Sequence, residues 1–113
     1  MKPGDVVLVR FPQTDLEAGK LRPALVMAMS PGRHTDALLV MITSLIDQSV
    51  PGFDEMIEPT DKDYPDTGLK TRSVVRLSRL ASVDPFVVNA KLGEISAERL
   101  HNAKRRLIEW LEK

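Results

Sequence analysis

Along this chain the apolar residues come in short runs, most of them bounded by Pro, Gly, Asp or Ser, and that spacing predicts strands over most of its length. Pro3-Gly4-Asp5 is turn chemistry, and Val6 to Phe11, rich in β-branched residues, predicts a first strand that Pro12 ends. Gln13 to Leu21 reads as a polar loop containing Gly19. Pro23 to Met29 and Ala37 to Ile42 predict the second and third strands, with Ser30 to Thr35 as the loop between them. Leu45 to Gly52 fits no single pattern and closes on a Pro51-Gly52 turn, and Phe53 to Ile57 alternates weakly as a short strand. Glu58 to Gly68 carries two prolines and several acids and reads as a loop. Ser73 to Leu77 predicts a strand, and Leu80 to Val83 continues the sheet after a bend. Asp84-Pro85 marks a turn, Phe86 to Leu92 reads as helix or strand, and Gly93 breaks it.

The period then changes. Ser96 is a helix N-cap, and Leu100, Ala103, Leu107, Trp110 and Leu111 form one stripe of a helix from Ala97 to about Glu112. Ile95 and Leu100 are spaced as a hydrophobic staple across that cap. Lys104, Arg105 and Arg106 lie off the stripe and read as a solvated face. Many short strands followed by one helix predict a mainly β fold: a small antiparallel barrel or curled sheet with a helix packed on it.

A length of 113 residues fits a single domain spanning 1–113, and 42% apolar residues suffice for one core. Sixteen basic and sixteen acidic side chains cancel, which argues against nucleic-acid binding by bulk charge while leaving room for a local basic cleft. With no cysteine, disulfides, thiolate nucleophiles and zinc–thiolate sites are excluded. His34 and His101 have no ligand-like spacing, so no metal and no cofactor is expected. No apolar stretch approaches the roughly 20 residues of a membrane span, and Met1 to Asp5 is not the start of a signal peptide, so a cytoplasmic protein is expected.

The candidate chemistry sits at strand ends. Arg22 stands directly before the apolar run Ala24 to Met29, and Pro23 biases it toward an extended backbone. A guanidinium at the mouth of a buried strand either pairs with a carboxylate or takes an anion such as phosphate. Thr43 and Ser44 end the third strand, and Lys20 and Arg79 are further cationic candidates. Arg76 interrupts Val74-Val75-Arg76-Leu77 and points to the face opposite Val75 and Leu77. Two arginines and a threonine hydroxyl around one cleft suit a phosphodiester and the charge that develops on it during transfer. Plainer readings stand beside this one. Arg76 pairs with Glu17, Asp54 or another acid, Thr43 is simply a good β-former, and Arg22 is a loop residue bonding a carbonyl.

Gly4-Asp5-Val6-Val7-Leu8-Val9, Phe11-Pro12, Thr14-Asp15, Leu21-Arg22-Pro23-Ala24-Leu25-Val26 and Met41-Ile42-Thr43-Ser44 together resemble the PemK/MazF family of toxin endoribonucleases from type II toxin–antitoxin systems. Ser73-Val74-Val75-Arg76-Leu77 and Lys91-Leu92-Gly93-Glu94-Ile95-Ser96 continue the resemblance in the same order, which is similar to the Phe-Pro-x-Thr-Asp subgroup. The resemblance implies a small SH3-like barrel with appended helices and a C-terminal helix, assembled as a homodimer. It implies metal-independent, sequence-specific cleavage of single-stranded RNA, in which the ribose 2′-hydroxyl attacks the adjacent phosphate to leave a 2′,3′-cyclic phosphate and a 5′-hydroxyl. Carried over residue by residue, Arg22 is the phosphate clamp and a proton-transfer or charge-stabilising group, Thr43 a phosphate hydrogen-bond donor, and Arg76 a proton donor to the leaving oxygen or an electrostatic stabiliser. Lys20, Ser44, Ser78 and Arg79 are then further RNA contacts. The partner implied is a cognate antitoxin that places an acidic side chain near Arg22, with DNA contacted only through that complex and no membrane.

The chain departs from the family pattern at two places. Of the polar set in the first loop only Glu17 is kept, within Leu16-Glu17-Ala18. Where many members carry an acid two residues after the arginine, this chain has Ser78, whose hydroxyl is too weakly basic to take the 2′-hydroxyl proton alone. Glu17 is therefore the candidate base. The same departures sustain an alternative, a weakened or inactive SH3-like module that binds RNA or a partner peptide. A third reading, attack on topoisomerase–DNA complexes as by the related CcdB toxins, fits the Arg22 and Thr43 pattern less well.

Overall fold

The computed structural model describes residues 1–10 and 20–113. Among these residues six strands, β1 (Asp5–Val9), β2 (Arg22–Met29), β3 (Ala37–Thr43), β4 (Glu55–Ile57), β5 (Ser73–Val83) and β6 (Val88–Glu94), form one sheet in the order β4-β5-β3-β2-β1-β6. Every pairing is antiparallel. A one-turn helix, α1 (Tyr64–Thr67), precedes β5, and a long helix, α2 (Ala97–Leu111), follows β6. No helix among the described residues is long and apolar enough to cross a membrane.

The apolar runs are nearly continuous because both faces of the sheet are buried. Successive side chains alternate between two clusters. Val6, Leu25, Met27, Val40, Ile42, Ile57, Val75 and Leu77 join Ile95 and the α2 residues Ala103 and Leu107 on one face. Val7, Val9, Ala24, Val26, Leu39, Met41 and Ala81 pack on the other.

The helix begins where Ser96 predicts, with the Ser96 hydroxyl accepting from the Arg99 amide at 3.1 Å. Ile95 is buried in the first cluster and Leu100 packs against that cluster, at the two positions a staple uses. The stripe, however, buries only its first half. Trp110 is 42% and Leu111 66% exposed, and Trp110 meets Phe53 edge-on at 5.5 Å. Arg106 does not belong to a solvated face, since it bonds the Asp54 carbonyl at 2.8 Å and the Glu55 carboxylate at 3.0 Å.

Several boundaries differ from expectation. The first strand ends at Val9, and Phe11 lies outside the described residues. The predicted loop at 58–68 contains α1, which closes on Gly68 with φ +74°. The two predicted segments from Ser73 to Val83 are one strand, interrupted by a bulge: Val40 faces Leu80 while Met41 faces Arg76, so Leu77, Ser78 and Arg79 have no partner on β3. Phe86 to Leu92 divides into a 3₁₀ turn at Pro85–Val87, capped by the Asp84 carboxylate accepting from the Phe86 amide, and then β6. Gly93 does not break this segment. It is paired with Val6 inside β6, and a Cβ on it would overlap the Asp66 carbonyl oxygen, so it is the close approach of α1 that requires glycine.

Candidate active site

Arg22 opens β2 and stands opposite Val9 on β1. The β2–β3 register pairs Ala24 with Met41; carried two residues further, it brings Arg22 opposite Thr43, which in turn faces Val74 on β5. Arg22 and Thr43 thus share one rung of the sheet and one face of it. The next rung on the same face runs Ala24, Met41, Arg76. Arg76 is therefore the diagonal neighbour of Thr43, a placement that separates Cα atoms by about 7–8 Å. Arg22 and Thr43 come side by side, with Arg76 diagonal to Thr43, because β2, β3 and β5 follow one another in the sheet, an order that sequence spacing does not reveal.

Thr43 is buried, and its Oγ1 accepts from the Leu45 amide at 3.1 Å, which turns the chain out of β3 and fixes the hydroxyl at the strand end. A cleft of about 560 Å³ opens at this end of the sheet. Lys20, Arg22, Thr43 and Ser44 line it on one side and Leu69, Lys70 and Thr71 on the other. The sequence reading did not single out Lys70 and Thr71; their signal is their place between the Gly68 turn and β5. Arg76, Ser78 and Arg79 do not line the cleft. Ser78 and Arg79 are exposed on the β5 bulge. Glu17 lies outside the described residues.

Arg76 realises the plainer reading, a pairing with Asp54. Its Nη1 donates to Gln48 Oε1 at 3.0 Å, and its Nε lies 3.4 Å from Asp54 Oδ2. That Nε is buried and makes no hydrogen bond, so the pair is held by charge at slightly more than hydrogen-bond distance. Nη2 is uncommitted among the described residues.

The acids from Asp54 to Asp66 do not line the cleft. Glu55, Asp61 and Asp63 gather instead around Arg99, a buried cation that the sequence reading missed although it falls one turn before Ala103 on the helix stripe. Arg99 forks onto Asp63, Nε to Oδ2 at 2.9 Å and Nη2 to Oδ1 at 2.8 Å. It also reaches Asp61 at 2.7 Å, Glu55 at 3.0 Å and the Met56 carbonyl at 2.6 Å, closing the free edge of β4. The Arg99 fork holds the Asp63 carboxyl down at about 2, and a hydrogen bond from the Glu58 amide, then Arg99, lowers Asp61. Glu55 moves the other way: burial raises it against the pull of Arg106 and Arg99. This network is structural and leaves the basic end of the sheet to the cleft. Among the described residues no group of His, Asp and Glu is arranged to hold a metal ion.

A family model described as PemK-like, MazF-like toxin of type II toxin–antitoxin system matches residues 2–111. No curated protein matches the chain. Among solved structures, an endoribonuclease in complex with its cognate antitoxin from mycobacterial species aligns with a TM-score of 0.70 and 19% sequence identity, over 99% of this chain and 95% of that one. At that identity the likeness speaks for the fold.

Proposed function

The chain belongs to the PemK-like, MazF-like toxin family of type II toxin–antitoxin systems, and from that premise we propose that it is a metal-independent, sequence-specific endoribonuclease that arrests growth by cutting single-stranded RNA. The observation that carries the reading is the rung shared by Arg22 and Thr43, with Arg76 on the next rung of the same face. Arg22 and Thr43 line one cleft, and a guanidinium beside a hydroxyl suits a phosphodiester, with Arg76 as the further cation next to it.

In the proposed reaction the ribose 2′-oxygen bonds to phosphorus while the bond from phosphorus to the 5′-oxygen breaks. Glu17 takes the 2′-hydroxyl proton, and the departing 5′-oxygen is protonated from solvent. Arg22 clamps a non-bridging phosphate oxygen, the Thr43 hydroxyl donates to it, and Arg76 stabilises the charge that develops on the leaving side. Both arginines stay charged throughout, so they serve as electrostatic groups rather than bases. The products are a 2′,3′-cyclic phosphate and a 5′-hydroxyl. The protein acts in the cytoplasm as a homodimer, and a cognate antitoxin silences it by placing a carboxylate against Arg22.

Purified protein incubated with RNA in the presence of chelator, with mapping of the cut ends, tests this. Cyclic phosphate ends are expected; intact RNA overturns the reading. One observation favours a second reading, a non-catalytic module: Arg76 is already engaged by Asp54 and Gln48. Binding without cleavage, surviving Arg22→Ala, would establish that alternative.

A further inference from the structure

We infer that Asp54 is a positioning residue for the RNA site, fixing the Arg76 guanidinium in the pose that meets phosphate; this rests on the nuclease reading above. Asp54 is unusually well anchored for a loop carboxylate. Its side chain is 1% exposed. Oδ1 accepts from the Leu77 amide at 3.0 Å and Oδ2 from the Val50 amide at 2.9 Å, while its backbone carbonyl takes Arg106 of α2 at 2.8 Å. The carboxylate is thus tied to β5, to the 50–54 turn and to the helix before it meets Arg76 at all.

Two consequences follow for Arg76. First, Asp54 stands immediately before β4, on the side of β5 away from β3, and its Oδ1 gives the Leu77 amide an acceptor just beyond the last β4–β5 pair, Glu55 with Val75. It thereby ties the residue that follows Arg76 to the same carboxylate that faces the guanidinium. Second, the negative charge 3.4 Å from Nε compensates a guanidinium whose side chain is only 13% exposed. With Gln48 on Nη1, two of the three guanidinium nitrogens are restrained, and Nη2 remains for a ligand. A pre-placed cation contributes more to a developing oxyanion than one that must be ordered first.

The chemistry also explains a carboxylate rather than an amide at position 54. Oδ2 faces two donors, the Val50 amide and Arg76 Nε. An asparagine NH₂ on that side would present a donor to both.

A double-mutant cycle on the full chain separates positioning from mere folding. Asp54→Asn is made in the wild type and in Arg76→Ala, and both pairs are read by single-turnover RNA cleavage and by affinity for a 2′-deoxy substrate analogue. We expect a loss of about tenfold from Asp54→Asn when Arg76 is present and less than about twofold when it is absent. Equal losses in both backgrounds overturn the inference and leave Asp54 a folding residue. If Asp54→Asn does not fold, Arg76→Lys decides: lysine keeps the charge but has no Nε for Asp54, so cleavage should fall as far as in Arg76→Ala, and retained cleavage overturns the inference. A wild type that binds the analogue without cutting overturns the nuclease reading alone, and the cycle is then read on the dissociation constant. A wild type that neither binds nor cuts overturns both.

Discussion

Arg99 and Asp63 meet in a two-point fork, Nε to Oδ2 at 2.9 Å and Nη2 to Oδ1 at 2.8 Å, across 36 residues of sequence. The fork fastens α2 to the segment before α1. Asp63 also accepts from the Ser96 amide at 2.9 Å, so the helix N-terminus and its buried arginine hang on one carboxylate. With Asp61 and Glu55 on the same guanidinium, the acidic segment is neutralised from within.

Removing that cation should destabilise the fold without touching the cleft. Arg99→Met leaves Asp63 buried without its cation and Glu55 with Arg106 alone, and a cost of about 3–5 kcal/mol is expected. Denaturant unfolding measures it. RNA cleavage per folded molecule should be unchanged, and a selective loss of cleavage with intact stability would show that the network serves the site instead.

The same fork predicts acid sensitivity. Folding lowers the Asp63 carboxyl to about 2 from an ordinary 3.8. Its contribution, about 2 kcal/mol, is present in full above pH 4 and disappears as pH falls through 2. Asp61, also lowered, adds in the same direction, whereas Glu55, raised by burial, opposes them over the range just above its ordinary value. Unfolding free energy should therefore drop between pH 4 and 2, and Asp63→Asn should flatten that drop while lowering stability at neutral pH. An unchanged profile in the variant would place the acid sensitivity elsewhere.

Arg22→Ala should abolish growth arrest and lower cleavage by at least about a hundredfold, the scale of losing one oxyanion-stabilising donor. Arg22→Lys should recover part of it, since charge without the planar fork clamps phosphate less specifically. Cleavage assays with matched circular dichroism separate this from misfolding.

Thr43→Val keeps the β-branched shape and deletes Oγ1. The Leu45 amide then loses its acceptor, at a cost of about 1–2 kcal/mol in stability. Cleavage should fall further than stability accounts for, and Thr43→Ser should restore it. Equal activity of the valine and serine variants would remove the hydroxyl from the mechanism.

The neutral chain carries a short basic site, with Lys20, Arg22 and Lys70 the cations that line its cleft. If each meets one phosphate, the logarithm of RNA affinity should fall with the logarithm of salt at a slope near about −2. A slope steeper than about −5 would mean an extended polybasic track instead, and titration of a 2′-deoxy analogue across salt concentrations reads it directly.

Much of this was legible in the sequence because it depends on local periodicity and chain order. Val6 to Val9, Pro23 to Met29 and Ala37 to Ile42 declare strands through β-branched runs, and Ser96 with the Leu100, Ala103 and Leu107 stripe declares the helix. Arg22 before Pro23 and Thr43 at a strand end could be named from position alone. What the sequence could not carry was adjacency. That Arg22 faces Thr43 follows from β2 lying beside β3, and that Arg76 joins them follows from β5 lying on the far side of β3. Asp54 as the partner of Arg76 was one option among several until the fold closed the distance. Arg99 was missed, and Gly93 misread as a break, because burial of a charge and the approach of α1 are set by residues more than twenty positions away. Apolar periodicity is a property of neighbours along the chain; ion-pair geometry and close backbone contacts are properties of neighbours in space, and only packing chooses those.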